Sequence, residues 1–336
     1  MDGDRRNFLK TGAVGLAAAS TAGLVTPAAA APAPGNHPFE MARNMTLLNM
    51  RVGNGYALGV KTGRGILNVP AAAQSLNMAA PSDMDDLLQN GRGGLLTNLV
   101  RAAANGPASL YAREETVQYA PVVTRPEKII MMGFNYRKHA EETNTTPPKD
   151  PPLFNKYNNT LNHHGGTIKL PTAVAKNFDY EVELVIVFGR ECRNVSEADA
   201  LNYVAGYCTG NDFSARDLQR KTSQFMLGKT CDDFAPLGPW IVGTGLVPDP
   251  QKLDLWCEVN GERRQSSNTA DMVFNCAQIV SYVSQHMTLM PGDIIFTGTP
   301  EGVIAGKPTD KRVWLKPGDK LRCAVEPLGV LEFKLA

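Results

Sequence analysis

The stretch Tyr180-Glu181-Val182-Glu183-Leu184-Val185-Ile186-Val187 decides how this chain is interpreted. β-Branched and apolar residues dominate it, so it predicts a β-strand. Side chains alternate along a strand, which puts Glu181 and Glu183 on one face with Cα atoms roughly 6.5–7 Å apart. Two carboxylates at that spacing can converge on one divalent ion, and the apolar strand would make an uncompensated pair costly. The alternative, from the strand alone, is a solvated strand face that carries two acids.

The composition indicates a folded, turn-rich protein. The chain has 336 residues, of which 43% are apolar, enough for one large domain or two smaller ones. Its 31 glycines and 23 prolines favour many turns and a strand-rich fold over a helical bundle. Many strand-like segments and few helical ones predict an α+β fold rather than an alternating parallel sheet.

The N-terminus is interpreted as a targeting segment. Residues 1–31 resemble a twin-arginine export signal, because Arg5-Arg6 is followed by Asn7-Phe8-Leu9-Lys10, a weakly apolar stretch and small residues suited to cleavage. The alternatives are a cytosolic protein with a floppy start and an N-terminal membrane anchor. Residues 32–37 are a linker rich in Pro, Ala and Gly. The expected location is the periplasm, without stable membrane insertion after cleavage, since no other segment has ~18 consecutive apolar residues.

Charge and cysteine usage exclude several classes. Removing residues 1–31 takes three basic and two acidic side chains from totals of 34 and 33, which leaves 31 of each. A neutral balance gives no bulk attraction to nucleic acid or anionic membrane. The six cysteines form no Cys-x-x-Cys pair, so a zinc site is not expected. Buried free thiols are the first interpretation, and disulfides in an exported protein are the alternative.

Two domains are predicted after the linker. Residues 38–122 form a small N-terminal α+β domain with strands at Met45–Val52 and Tyr56–Thr62 and helices at Ser82–Leu88 and Leu95–Ala104. This domain has no convergent polar cluster, so we expect it to serve packing or to support a dimer.

Residues 123–336 form the second predicted domain, which carries the chemistry. A strand at Glu127–Met132 precedes a short helix at 137–142, on which His139 and Glu142 lie three residues apart and share a face. Further elements are predicted at Tyr203–Thr209 (a strand that leads to Asp212), at Leu253–Gln265 (a hairpin), at Met272–Ser284 (a helix), and at Asp293–Phe296, Trp314–Leu315, Leu321–Val325 and Val330–Leu335 (strands).

Several segments of this second domain match, in order, the fumarylacetoacetate hydrolase superfamily in its C-terminal catalytic domain. The matching segments are Gly133–His139, Leu153–Lys156, Asp179–Leu184, Asn211–Asp217, Gly228–Lys229, Pro236–Trp240, Gly292–Gly302 and Leu315–Asp319. The chain thus resembles acylpyruvases and 2-oxo acid decarboxylases or isomerases. The resemblance implies a mixed β-roll, a small N-terminal domain and a homodimer.

The resemblance also implies the site. Glu181, Glu183 and Asp212 match the family's metal ligands, with Mg²⁺ or Mn²⁺ as the usual ion and Ca²⁺ as a possible substitute. For Asp212 alone, a turn or helix-cap acid would be the first interpretation. His139 matches the residue that takes a proton from water, and Glu142 the residue that orients its imidazole.

Four further residues match positions that surround the substrate. They are Arg216, Gln219, Lys229 and Thr299, and Lys229 also counts among the catalytic positions. An arginine suits a carboxylate because its planar fork can bind both oxygens. Without the resemblance, surface ion pairs for Arg216 and Lys229 and a turn hydroxyl for Thr299 would be the first interpretation.

The function that this implies is metal-dependent hydrolysis of a carbon–carbon bond in a 1,3-dioxo acid, such as an acylpyruvate, giving pyruvate or a relative plus a carboxylate. Decarboxylation, isomerisation or hydration of a 2-oxo acid through the same enolate is one alternative. A periplasmic protein that captures a 2-oxo acid without turnover is the alternative from another class.

Overall fold

The strand that carries Glu183 runs from Val182 to Phe188 and is buried along its whole length. It belongs to a computed structural model that describes residues 38–336. Glu181 comes directly before the strand, and Glu183 is the second residue of the strand. The metal-binding hypothesis therefore concerns the end of a fully buried strand.

The described residues contain eighteen strands, numbered in chain order. They are β1 (Thr46–Val52), β2 (Gly55–Thr62), β3 (Gly65–Asn68), β4 (Tyr111–Ala112), β5 (Ile129–Met132), β6 (Leu153–Lys156), β7 (Leu161–Asn162), β8 (Gly166–Ile168), β9 (Phe178–Asp179), β10 (Val182–Phe188), β11 (Val204–Asn211), β12 (Ser214–Ala215), β13 (Ala235–Gly243), β14 (Asp254–Val259), β15 (Glu262–Asn268), β16 (Ile294–Phe296), β17 (Lys320–Val325) and β18 (Val330–Leu335).

Eight α-helices accompany them. They are α1 (Val69–Leu76), α2 (Met84–Gln89), α3 (Gly93–Ala103), α4 (Arg137–Glu142), α5 (Glu197–Ala200), α6 (Arg216–Gln219), α7 (Met226–Lys229) and α8 (Cys276–His286). The predicted α4 is confirmed at 137–142, whereas the predicted helix at Met272–Ser284 begins later. Asn275 caps α8 in a reciprocal capping box with Gln278, which fixes its start at Cys276.

The strands form a mixed α+β architecture, as predicted. The large sheet has the order β4-β3-β2-β1-β13-β11-β10-β16-β5-β6, with β7 beside β13, and β16 pairs in parallel with β5. A five-stranded sheet has the order β15-β14-β17-β18-β8, and β9 pairs with β12. The predicted strand at Trp314–Leu315 is wrong, since Leu315 makes only an isolated bridge to Phe178.

The buried side chains of β10 belong to two hydrophobic clusters, one on each face of the strand. Leu184 and Ile186 belong to the cluster shared with the five-stranded sheet. Val185 and Val187 belong to the cluster shared with α1, α2 and α3. This alternation explains why the strand sequence is apolar throughout, because both of its faces are covered.

The two strands and two helices predicted in residues 38–122 correspond to β1, β2, α2 and α3, whereas β3, β4 and α1 were not predicted. β1 pairs with β2 over its whole length, and β1 also pairs with β13, so these strands extend the large sheet. The division at residue 122 and the supporting role of this segment stay predictions.

The export signal at 1–31 and the linker at 32–37 lie outside the described residues. Within residues 38–336, no helix has the length and apolar character needed to cross a membrane. All six cysteines are free thiols, and five are buried, but Cys231 is only half-buried.

Candidate active site

Three carboxylates meet at the N-terminal end of β10. Glu181, Glu183 and Asp212 each offer an oxygen, these oxygens lie within 4.8 Å of one another, and all three residues are buried. Asp212 reaches the group because β11 pairs with β10 and ends at Asn211, and its backbone N–H donates to the Glu181 carbonyl oxygen. The strand spacing and the β10–β11 pairing together create the cluster.

Lys229 bridges two of these carboxylates. Its Nζ donates to Glu181 Oε2 at 2.6 Å and to Asp212 Oδ2 at 2.6 Å. Lys229 lies on helix α7, which packs against α6. The two helices approach closely at Gly228, where a Cβ would lie 2.4 Å from the Gln219 backbone nitrogen. Lys229 is therefore held inside the cluster rather than at the surface.

Arg216 holds the other side of Glu181. Its Nη2 lies 2.6 Å from Glu181 Oε1, its Nε donates to Asp179 Oδ2 at 2.9 Å, and its Nη1 donates to Gln219 Oε1 at 3.0 Å. A guanidinium has five N–H donors. Three are thus engaged, and two remain available to a ligand.

The charges at the site shift the pKa values of the two glutamates in opposite directions. Burial would raise the pKa of Glu181, but the cations Arg216 and Lys229 outweigh it and lower that pKa to about 2. Burial raises the pKa of Glu183 well above its usual value, and the negative charges of Asp212 and Glu181 raise it further. Glu183 is the carboxylate of the three that lacks an ammonium or guanidinium partner; it accepts a hydrogen bond from the Gly298 backbone N–H at 2.6 Å.

The donor set fits a hard divalent ion. Asp212 Oδ1 is buried and receives no well-oriented hydrogen bond, although Lys156 Nζ lies 2.8 Å away. The ammonium of Lys156 donates instead to three backbone carbonyls, those of Phe213, Lys229 and Phe234. A buried oxygen without a donor, beside a buried carboxylate without a cation, is the arrangement that a dication would satisfy.

His139 and Glu142 lie at the same cavity on α4. His139 Nδ1 is 3.2 Å from Glu142 Oε2, and the imidazole lines the cavity together with the three carboxylates. Glu142 is fixed from the other side, because the Gly302 backbone N–H donates to its Oε1 at 3.0 Å. With Glu142 at Nδ1, the imidazole keeps Nε2 free to accept a proton.

Gly306 provides the space for Glu142. A Cβ at position 306 would lie 2.4 Å from Glu142 Cδ. Glycine thus allows close approach here, since a side chain would displace the carboxyl group that orients His139.

Two of the predicted substrate residues, Gln219 and Thr299, also line this cavity and make hydrogen bonds within the protein. Gln219 accepts from Arg216. The Thr299 hydroxyl donates to the Val182 carbonyl oxygen at 3.0 Å and accepts from Gln265 Nε2 at 2.9 Å. The structure thus brings eight of the nine predicted site residues to the lining of one cavity, which has a volume of about 60 Å³, and the ninth, Glu142, contacts His139.

Two site residues were missed at the level of sequence. Asp179 is fully buried and accepts from Arg216 and from the backbone N–H groups of Ile304 and Ala305. Lys156 lies beside Asp212. Both belong to segments that carry the family resemblance, and a charged residue next to a buried apolar run was the signal that could have indicated them.

Comparisons with known proteins show the family to which the chain belongs. The model of the family described as fumarylacetoacetate (FAA) hydrolase C-terminal matches residues 128–336. Oxaloacetate tautomerase FAHD2A, mitochondrial, of Bos taurus is 40% identical over 88% of this chain and 92% of its own length.

Solved structures extend the likeness to the whole fold. A fumarylacetoacetate hydrolase from psychrophilic Exiguobacterium antarcticum has a TM-score of 0.74 and 29% identity, covering 87% of this chain and 99% of its own. A 5-carboxymethyl-2-hydroxymuconate delta-isomerase from Mycobacterium smegmatis has a TM-score of 0.66 and 33% identity, covering 87% and 98%. The segment that the family model matches contains the acidic cluster and the His139–Glu142 pair. This chain therefore belongs to the fumarylacetoacetate hydrolase family.

Proposed function

We propose that this protein is a metal-dependent enzyme that hydrolyses the carbon–carbon bond of an acylpyruvate-like 1,3-dioxo acid. The observation that carries the proposal is the cavity in which three buried carboxylates face a histidine already oriented by a glutamate. A divalent ion (Mg²⁺ or Mn²⁺, with Ca²⁺ as a substitute) held by Glu181, Glu183 and Asp212 would supply positive charge that polarises the 2-oxo acid head.

The protein's own residues position the substrate and move the proton. The two free N–H donors of Arg216, together with Lys229, bind the carboxylate of the substrate. His139 Nε2 accepts a proton from a water that attacks the distal carbonyl carbon, and Glu142 stabilises the resulting imidazolium. The C3–C4 bond then breaks, its electron pair stays on C3, and the proton on His139 is delivered to that carbon. The products are pyruvate and a carboxylic acid.

A second candidate is keto–enol tautomerisation of a 2-oxo acid. It is favoured by the curated relative named an oxaloacetate tautomerase, which is 40% identical to this chain. His139 would then take a proton from C3 and return it to oxygen, without attack by water. The two reactions differ in bond cleavage, so mass spectrometry of the products from a panel of oxo acids distinguishes them.

A His139→Ala variant tests the proposal, and His286→Ala is its control because His286 is exposed on α8. Turnover of acylpyruvates should fall about 10²–10⁴-fold in His139→Ala, with metal affinity retained. EDTA should abolish turnover by the wild type. Binding of pyruvate without turnover of any substrate would instead indicate a 2-oxo acid binding protein, and turnover indifferent to EDTA would contradict the proposal.

Export and assembly complete the proposal. We infer that the protein is exported to the periplasm by the twin-arginine route and acts there as a homodimer. Replacing Arg5 and Arg6 by lysine should retain the protein in the cytoplasmic fraction. Light scattering of the mature chain should give twice the monomer mass, and a monomer would contradict the assembly.

A further inference from the structure

The cavity has an aromatic wall in addition to its charged floor. Phe134, Phe154 and Phe225 line it, and we call these three residues the aromatic rim. The charged residues of the floor are buried, whereas Phe134 is 39% exposed and the other two are half-buried. Phe154 and Phe225 meet edge to face with ring centroids 5.6 Å apart. The rim therefore lies between the charged floor and solvent.

Phe134 is held in an unfavourable backbone conformation. Its φ is 49°, in the left-handed region, which bulky residues rarely occupy. The next residue imposes this conformation, because buried Asn135 donates to the Phe274 and Thr297 carbonyl oxygens and accepts from the Phe274 N–H. The ring of Phe134 lies nearly parallel to that of His139, at 6.3 Å and 16°. A strained, exposed phenylalanine beside a catalytic histidine contributes little to the core and indicates contact with a ligand.

The size of the cavity directs a substituent toward this rim. A volume of about 60 Å³ accommodates an oxo acid head of a few atoms. Whatever is attached to that head must extend outward, past Phe134 and His139. Met226 and Leu227, which follow Phe225, are 43% and 48% exposed and continue the apolar surface outward.

The buried charges of the floor fit one carboxylate on the oxo acid head. Seven charged side chains are buried at the site: Asp179, Glu181, Glu183 and Asp212 against Lys156, Arg216 and Lys229. Four negative and three positive charges give a net charge of −1, which a dication changes to +1. A substrate with one carboxylate makes this buried site neutral.

We propose that the aromatic rim selects 2-oxo acids that have an apolar distal group. This inference rests on the proposed function and specifies its substrate class. In hydrolysis, the distal group is the alkyl or aryl part of the acyl group that leaves as a carboxylic acid. Phe134 acts as the specificity-determining residue, since its partly exposed ring lies beside that of His139 at the cavity.

A chain-length series tests the inference. With acetyl-, butanoyl- and hexanoylpyruvate, kcat/KM should rise by up to about fourfold for each methylene that the rim covers, and oxaloacetate should be the poorest substrate. Calorimetric Kd values for pyruvate and longer straight-chain 2-oxo acids should follow the same order without any turnover.

The Phe134→Asn variant removes the ring while keeping a residue that tolerates a positive φ. It should abolish the dependence on chain length in both kcat/KM and Kd. Phe134→Gly, which also tolerates that conformation, should do the same and guards against a folding defect in the first variant. Phe39→Asn is the matched control: Phe39 is 38% exposed and lines a different cavity. This variant should keep the full dependence.

The outcomes separate the two claims. If the wild type neither turns over nor binds any 2-oxo acid, the proposed function fails. If it does turn them over, but the series is flat, or oxaloacetate is preferred, or Phe134→Asn retains the chain-length dependence, then the rim does not select the substrate and this inference alone is overturned.

Discussion

Gly306→Ala changes the orientation of His139 without touching it. The new Cβ would lie 2.4 Å from Glu142 Cδ, whereas ordinary contact begins at about 3.4 Å. The carboxyl group must therefore move by about 1 Å or more. A movement of that size away from His139 would take the Nδ1 to Glu142 Oε2 distance, now 3.2 Å, beyond hydrogen-bonding range, and would weaken the bond from the Gly302 N–H.

The expected cost falls on catalysis and little on stability. A displacement of about 1 Å in a catalytic group can reduce the rate about a hundredfold, and we expect that loss in kcat/KM with acylpyruvates. The atom displaced is the end of a flexible side chain, so the free energy of unfolding should change by less than about 1 kcal/mol. Metal affinity should not change, since Glu142 is not one of the three clustered carboxylates.

Steady-state kinetics, thermal unfolding and metal titration of Gly306→Ala check these expectations together. Gly63→Ala is the control, because a Cβ there meets nothing within 4 Å. Glu142→Gln should lose a similar factor, and combining it with Gly306→Ala should add little, since both changes remove the same interaction. Full activity in Gly306→Ala, or multiplicative losses in the double variant, would refute the role assigned to Glu142.

Two further predictions concern stability. Lys156→Met leaves Asp212 and three backbone carbonyls without the ammonium group that contacts them. The free energy of unfolding, measured with denaturant, should therefore fall by about 3–5 kcal/mol. The control Lys221→Met, at an exposed position, should change it very little. A loss below about 1 kcal/mol would contradict it. Burial lowers the pKa of His163 and His164 from 6.5, so the folded state binds fewer protons than the unfolded state below that pH. Thermal stability should fall as the pH drops below 6.5 and should fall less when both are glutamine; an unchanged pH dependence would count against it.

Much of the site could be predicted because two of its carboxylates belong to one strand-like segment. The apolar run around Glu183 indicated burial, and period-two alternation put Glu181 and Glu183 together before any fold was known. Asp212 could be added only through the family resemblance. Its approach depends on the β10–β11 pairing, a contact between segments about thirty residues apart that local patterns do not encode.

The residues that were missed act through tertiary contacts. Asp179 and Lys156 matter because of the donors and acceptors that surround them, and a sequence does not show that Lys156 meets three carbonyls. Gly306 is similar: its role depends on Glu142 lying against it, far away in the sequence. The misplaced start of α8 has a local cause, because Asn275 and Gln278 form a capping box that ends the preceding loop.

The central claim is that three buried carboxylates bind one hard dication. Isothermal titration of Mn²⁺ into the EDTA-stripped protein tests it most directly, with Glu183→Ala as the variant and exposed Glu115→Ala as the control. The account predicts that the wild type and the control each bind one ion per chain. Glu183→Ala should bind Mn²⁺ at least about a hundredfold more weakly, a larger loss than the removal of a residue that only hydrogen-bonds a metal ligand usually causes. Unchanged Mn²⁺ affinity in Glu183→Ala would contradict it.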